Sequence, residues 1–205
     1  MESSEKNAWI ETHSGIRFNF FNFTPEDILL EDIAWALSHL CRYVGHCSSP
    51  CYVAAHSLDV SEWLTVHMLS KPETALAGLL HDGSEAYLND LPAGLKPLLP
   101  EYMKLEDRIQ SAIYKKFVGF VPDDGARDEI KYADIAVLTC EARLLIPSKG
   151  ETWGLPEISR PSHNVGTFCQ EHRHEVLNEL FLAVFDKLKK DCENVNGSEN
   201  KGSDD

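Results

Sequence analysis

The stretch LLHDGSEAYLNDLP, residues 79–92, sets His81, Asp82, Glu85 and Asp90 among Leu79, Leu80, Ala86, Tyr87 and Leu88. It opens like the middle of a buried helix, because Leu76, Leu79 and Leu80 recur at helical spacing. A carboxylate beside an imidazole on an apolar helix is unfavourable unless something compensates the charge. On a continuous helix Glu85 follows His81 by one turn and Asp82 by three residues, so all three share one edge. Crowded there, they repel or desolvate one another. A divalent cation converts that penalty into binding energy, since neutral imidazole and carboxylate are suitable ligands for it.

The flanking sequence reads as further helices. Thr24-Pro25-Glu26-Asp27 is a helix start, with Thr24 as N-cap, Pro25 in the first turn and acids at the positive helix end. DIAWALSHLCRY (32–43) has Ile33, Ala36, Leu37 and Leu40 at helical spacing, and Gly45 ends it; GHCSSPC is a loop. YVAAHSLDVSEWLTVHML (52–69) carries Val53, His56, Val60, Trp63 and His67 along one stripe. Ser70-Lys71-Pro72-Glu73 is a capping box for the helix that carries His81 and Asp82. Pro92 and Pro97 break the pattern after Asp90. Amphipathic helices follow over 101–120 and 128–146, then a Pro/Gly-rich loop (147–161) and a last helix (167–190).

The expected architecture is therefore all-α, a single helical bundle of seven helices over 24–190. An N-terminal arm (1–23) precedes it, in which GIRFNFFNF alternates as a short strand or extended segment. The polar, acidic, aperiodic DCENVNGSENKGSDD (191–205) reads as a disordered tail.

Composition narrows the function classes. The chain has 205 residues, 43% of them hydrophobic, which suits one domain with a sizeable core. No segment approaches the roughly 20 apolar residues of a membrane span, and MESSEKNAW lacks the basic and apolar regions of a signal peptide. These features point to the cytoplasm and to no membrane partner. Cys41, Cys47, Cys51, Cys140, Cys169 and Cys192 accordingly read as reduced thiols. The CxxxC at Cys47 and Cys51 has no second pair at zinc-finger spacing, which weighs against a structural zinc. A net charge of −14 argues against a nucleic-acid polymer as partner and leaves a small anionic substrate open.

A mononuclear metal site needs more than His81 and Asp82. His56 lies on the apolar stripe of the preceding helix, and Asp134 lies in KYADIAVL with Val137 and Leu138 one turn on. Each has an ordinary reading, as a satisfied core histidine and as a surface or capping acid. Together they supply one out-of-place ligand from every candidate helix, and that joint pattern is more specific than any member.

The pattern H…HD…D, here His56, His81-Asp82 and Asp134, resembles the HD-domain metal-dependent phosphohydrolases. DIAWALSHLCRYVGH, YVAAHSLDV, LLHDGSEAYLNDLPAGLKP and ADIAVLTCEAR are similar to the bacterial and phage branch that acts on deoxynucleotides, which includes 5'-deoxynucleotidases and phage dATP triphosphohydrolases. The likeness covers roughly residues 12–180. It implies that His56, His81, Asp82 and Asp134 hold a catalytic divalent ion, Co²⁺, Mn²⁺, Zn²⁺ or Mg²⁺. It further implies that Glu85 positions or deprotonates the attacking water and that Asp90 helps protonate the leaving oxygen. Arg42 and Lys96 would hold phosphate, Tyr43 would sit near the sugar, and the protein would be a homo-oligomer. Tyr43 stands where the bacterial deoxynucleotidases have tryptophan, Gly83 where alanine or threonine is commoner, and AAHS where AEHS is commoner.

These roles suit the chemistry. A phosphoester repels nucleophiles, so its hydrolysis depends on positioning and charge neutralisation. A metal lowers the pKa of bound water to as little as about 7 on zinc, and arginine offers phosphate a bidentate fork that lysine lacks. His46, in the loop after Arg42, is either a further phosphate contact or a solvated loop residue. Glu141, two turns after Asp134, either supports the ligands or forms an ordinary salt bridge to Arg143 or another base.

The sequence therefore points to removal of mono- or triphosphate from the 5' position of a deoxynucleotide, with purines slightly favoured. A non-catalytic nucleotide sensor of the same fold is the rival, against which Glu85 and Asp90 argue because a binder needs no proton-handling pair. A purely structural metal bundle leaves Arg42 and Lys96 unexplained.

Overall fold

A computed structural model describes residues 7–158, 168–170 and 173–199, with side chains to 195. Seven α-helices lie among the described residues: α1 Leu30–His39, α2 Val53–Glu62, α3 Pro72–Leu79, α4 Glu85–Leu88, α5 Pro100–Phe117, α6 Asp124–Leu145 and α7 His174–Glu199. The fold is all-α apart from one hairpin. No described helix is long and apolar enough to cross a membrane.

Helix α2 is the centre. Every residue from Val53 to Ser61 is buried, because α1, α3, α6, α7 and residues 168–170 all pack on it. A helix enclosed on all sides has no solvated face for its polar residues, so His56 and Asp59 are buried with it. Beyond Glu62 the chain widens into a π-helical turn, Trp63–His67, rather than continuing as α-helix to 69. Gly78 on α3 allows this turn to approach closely, since a Cβ there would lie 2.2 Å from Leu64 Cδ1.

The arm forms an antiparallel hairpin, β1 Trp9–Glu11 and β2 Arg17–Asn19, in the register Ile10↔Phe18. The alternation expected near residue 15 thus marks a strand. Phe18 is fully buried and stacks on Tyr87 at 4.2 Å between centroids. Asp32 holds the hairpin turn by accepting from Ser14 N at 2.7 Å and Ser14 Oγ at 2.8 Å.

Several local expectations change. Thr24 and Asp27 do form reciprocal contacts, Asp27 Oδ2 accepting from Thr24 N at 2.8 Å, but they cap only a single 3-10 turn, Pro25–Asp27. Helix α1 ends at His39, not near Tyr43, because Cys41 bridges to Tyr52 and draws the chain away. The turn that follows, Arg42–Gly45, carries positive φ at Tyr43 (58°), Val44 (52°) and Gly45 (76°). Left-handed backbone at a β-branched valine is a strained conformation. The Ser70–Glu73 capping box does not form: Lys71 is the N-cap, and the buried Ser70 Oγ and Glu73 Oε2 have no hydrogen-bond partner.

The largest correction concerns His81 and Asp82. They do not sit on a helix, since α3 stops at Leu79 and α4 begins at Glu85. Gln110 of α5 imposes the turn between them: its Nε2 donates to Leu80 O at 2.8 Å and its Oε1 accepts from Ser84 N at 3.0 Å. One side chain thus satisfies a carbonyl and an amide that a continuing helix would have paired. At the other end α7 runs through Glu199, nine residues past the expected helix end at 190. Cys192 accounts for the extension, because it is buried against the core one turn beyond Leu188. Residues 200–205 lie outside the described residues, as do 1–6 of the arm and 159–167 of the loop and last helix.

Candidate metal centre

Four parts of the fold converge on one point. Helix α2 brings His56, the turn after α3 brings His81 and Asp82, and α6 brings Asp134 and Glu141. The strained turn before α2 brings Arg42 and Tyr43. Ligand atoms of His56, His81 and Asp82 lie within 4.8 Å of one another. Asp82 Oδ2 is 3.2 Å from His81 Nε2 and 3.9 Å from His56 Nε2. Asp134 stands at the edge of this group, its Oδ1 3.2 Å from His56 Nε2 and its Oδ2 bound by Lys131 at 2.7 Å.

The imidazoles are oriented through their far nitrogens. His56 Nδ1 lies 2.9 Å from Glu141 Oε1, and His81 Nδ1 lies 2.8 Å from the Gly78 carbonyl at the end of α3. Both partners are acceptors, so each Nδ1 donates, and in the neutral ring Nε2 carries the lone pair. Both Nε2 atoms are buried without an aligned hydrogen-bond partner. Two buried lone pairs beside two carboxylates form a donor set that suits a divalent cation, with the outer hydrogen bonds fixing each tautomer.

Glu141 links this group to Arg42. Its fully buried carboxylate accepts from His56, from Arg42 Nε at 3.2 Å and from Tyr43 OH at 2.6 Å, and Cys51 Sγ lies 3.8 Å away. Its contacts meet both readings left open by the sequence: it orients His56, and it pairs with a base, which is Arg42 and not Arg143. Tyr43, expected beside a sugar, spends its hydroxyl on this carboxylate.

The electrostatics follow from this crowding. Burial raises Glu141, but Arg42 and His56 prevail and hold it at about 2. Burial and Arg42 disfavour a proton on His56, yet Glu141 and Asp134 outweigh them and raise it to about 10. That proton and a metal compete for the same nitrogen. Burial likewise works against Asp82 and Asp134, but the neighbouring histidines hold both carboxyls well below the usual range.

Glu85 and Asp90 form the acidic rim. Glu85, 4% exposed, has Oε1 3.6 Å from Lys96 Nζ, while its Oε2 has no partner. Burial and Asp82 push it up to about 9. Burial also raises Asp90, helped by Asp82 and opposed by Arg42. Lys96, expected to hold phosphate, is instead paired with Glu106 at 2.7 Å as well as lying near Glu85. His46 is exposed, and no side-chain contact among the described residues joins it to the cluster.

Sequence reasoning overlooked Gln110, the Gly78 carbonyl and Lys131. It also passed over Asp59, which a clear signal marked: an acid three residues after His56 in a segment that is otherwise almost wholly apolar or small.

No family model matches the chain. It is 35% identical over 184 residues to Uncharacterized protein YfdR of Escherichia coli (strain K12), covering 84% of this chain and 97% of that one. It is also 36% identical over 116 residues to Uncharacterized protein RCAP_rcc00048 of Rhodobacter capsulatus, covering 55% of this chain and 59% of that relative.

Proposed function

The chain belongs to the family that includes YfdR of Escherichia coli, and from the geometry of its candidate metal centre we propose that it is a metal-dependent phosphohydrolase cleaving the 5' phosphoester of deoxynucleotides. One observation carries this reading: the buried Nε2 atoms of His56 and His81 converge beside Asp82, with both rings oriented from behind. In the proposal His56, His81, Asp82 and Asp134 hold the ion. The metal, when bound, polarises phosphoryl oxygen and acidifies its water.

The remaining steps belong to the side chains. Arg42 spends Nε–H on Glu141, while its terminal nitrogens make no hydrogen bond among the described residues, Nη1 lying 3.7 Å from Asp82 Oδ2 in an ion pair. They are available to a phosphate, the group a planar guanidinium recognises best. Glu85 orients the attacking water and takes its proton; a cation nearby lowers its raised pKa by the same electrostatics that depress Asp82. Asp90, half-buried and with its carboxyl raised above the ordinary value by burial, supplies a proton to the leaving 5' oxygen. Lys96 steadies Glu85, and Tyr43 acts through Glu141. His46, exposed in the turn after Arg42, is in this proposal an outer phosphate contact, one of the two readings its sequence position left open.

The substrate is a deoxynucleoside mono- or triphosphate, a purine slightly preferred, handled in the cytoplasm by a homo-oligomer without nucleic-acid polymer or membrane. The test is to incubate purified protein with ribo- and deoxynucleoside mono-, di- and triphosphates plus Co²⁺, Mn²⁺, Zn²⁺ or Mg²⁺, and to identify products by chromatography. Release of phosphate or polyphosphate from a deoxynucleotide supports the proposal. Tight binding without turnover for every pair of nucleotide and metal points to a sensor instead.

A further inference from the structure

A groove of about 700 Å³ lies between the N-terminal arm and α5, lined by Phe21 and Phe23 on one side and Asp107, Arg108, Lys115 and Lys116 on the other. None of these residues belongs to the metal centre. The volume is that of a small-molecule site. Its charge runs against that of the chain: three cations face one acid in a protein of net charge −14.

Those cations differ from the ones around the metal centre. Arg42, Lys96 and Lys131 each pair with carboxylates. In the groove, Arg108 donates to the Phe20 carbonyl, and Lys116 donates to the carbonyls of Pro25 and Ile28 at 2.7 Å. A carbonyl satisfies a donor without cancelling its charge. Lys115 is exposed and makes no polar contact among the described residues, and none of the three forms an ion pair there.

The apolar wall is held in place. Asn19 Oδ1 accepts from the backbone N of Phe21 at 2.9 Å and of Asn22 at 3.0 Å, which fixes the turn that leaves Phe21 50% exposed. The Arg108 guanidinium sits over the Phe23 ring at 5.0 Å. Exposed aromatic surface beside an excess of positive charge recognises a ligand that is planar at one end and anionic at the other.

We propose that this groove is a second binding site, for a small aromatic anion whose ring packs on Phe21 and Phe23 and whose charge meets Arg108 and Lys115. The inference does not depend on the reading of the metal centre.

Calorimetric titration of the full chain with naphthalenesulfonate tests it, since this probe carries both features and has no phosphoester to hydrolyse. The expected result is one saturable site per chain, weakened about tenfold in Phe21→Ala and again about tenfold in Lys115→Glu. Inorganic sulfate and naphthalenemethanol, which each keep half of the recognition, should bind at least about tenfold more weakly than the probe. Asp82→Asn should bind the probe as the wild type does. The proposal is overturned by absence of saturable binding, by wild-type affinity in either groove variant, or by loss of binding in Asp82→Asn, which would put the probe at the metal centre.

Discussion

Glu141 Oε1 and His56 Nδ1 are 2.9 Å apart, and the same carboxylate holds Arg42 Nε through its other oxygen at 3.2 Å. One buried acid therefore orients both a candidate metal ligand and the candidate phosphate-binding group. Glu141→Gln keeps the shape but removes the charge. Metal affinity, measured by calorimetry, should fall about 10- to 100-fold, the usual effect of losing an outer partner of a ligating histidine. Tyr43→Phe deletes only one hydrogen bond to the carboxylate and should change affinity far less. Equal affinities for wild type and Glu141→Gln would mean that the carboxylate does not act through His56.

Gln110 should matter although it touches no ligand. Gln110→Ala leaves the Ser84 amide without its partner and the Leu80 carbonyl with the Gly83 amide alone, at 2.9 Å. The expected loss is about 1–3 kcal/mol of stability, accompanied by weaker metal binding as the His81–Asp82 turn loosens. Urea unfolding and a metal titration on the same preparation read both. A variant unchanged in both respects would show that the turn is held by something else.

This turn also marks the limit of what the sequence reveals. Helices α5 and α6 were legible because their amphipathic periodicity is local and long. The break after Leu79 was not, since Leu76, Leu79 and Leu80 continue the helical pattern up to His81 and the residue that interrupts it lies some thirty positions away in α5. At the site, His56, His81, Asp82 and Asp134 were legible as polar residues out of place on apolar stripes. The role of Glu141 was left open between two readings, because its partners Arg42 and His56 are 99 and 85 residues distant. Lys96 and Tyr43 were placed by the resemblance, which does not foresee that Glu106 and Glu141 claim them.

Asp59 predicts a pH dependence of stability. Burial, reinforced by Glu141, raises its carboxyl to about 8, although the backbone amides of Phe168 and Cys169 donate to it. Between an unfolded value of about 3.9 and this one, the folded state keeps a proton that the unfolded state has released. Stability from this group is therefore full below that window, falls as pH rises through it by up to about 1.4 kcal/mol per pH unit, and levels off above about 8. Asp59→Asn removes the titration while retaining one acceptor. The wild-type minus variant difference in unfolding free energy should fall with rising pH across the window; a difference independent of pH would contradict the raised value.

Glu85 separates an enzyme from a sensor. Glu85→Gln leaves all four proposed ligands in place, so metal content and nucleotide affinity should be preserved. The kcat should nonetheless drop about 10²- to 10⁴-fold, the usual contribution of a positioned acid or base. Loss of the metal would make Glu85 a ligand and move proton handling to Asp90.

The metal centre itself is tested most directly by counting ions. Elemental analysis of purified wild type and Asp82→Ala, after equilibration with Co²⁺ or Mn²⁺ and removal of loosely bound ions, should give one divalent ion per chain in the first and none in the second, with circular dichroism showing both folded. Equal metal content in the two proteins would contradict the assignment of His56, His81, Asp82 and Asp134 as a metal site.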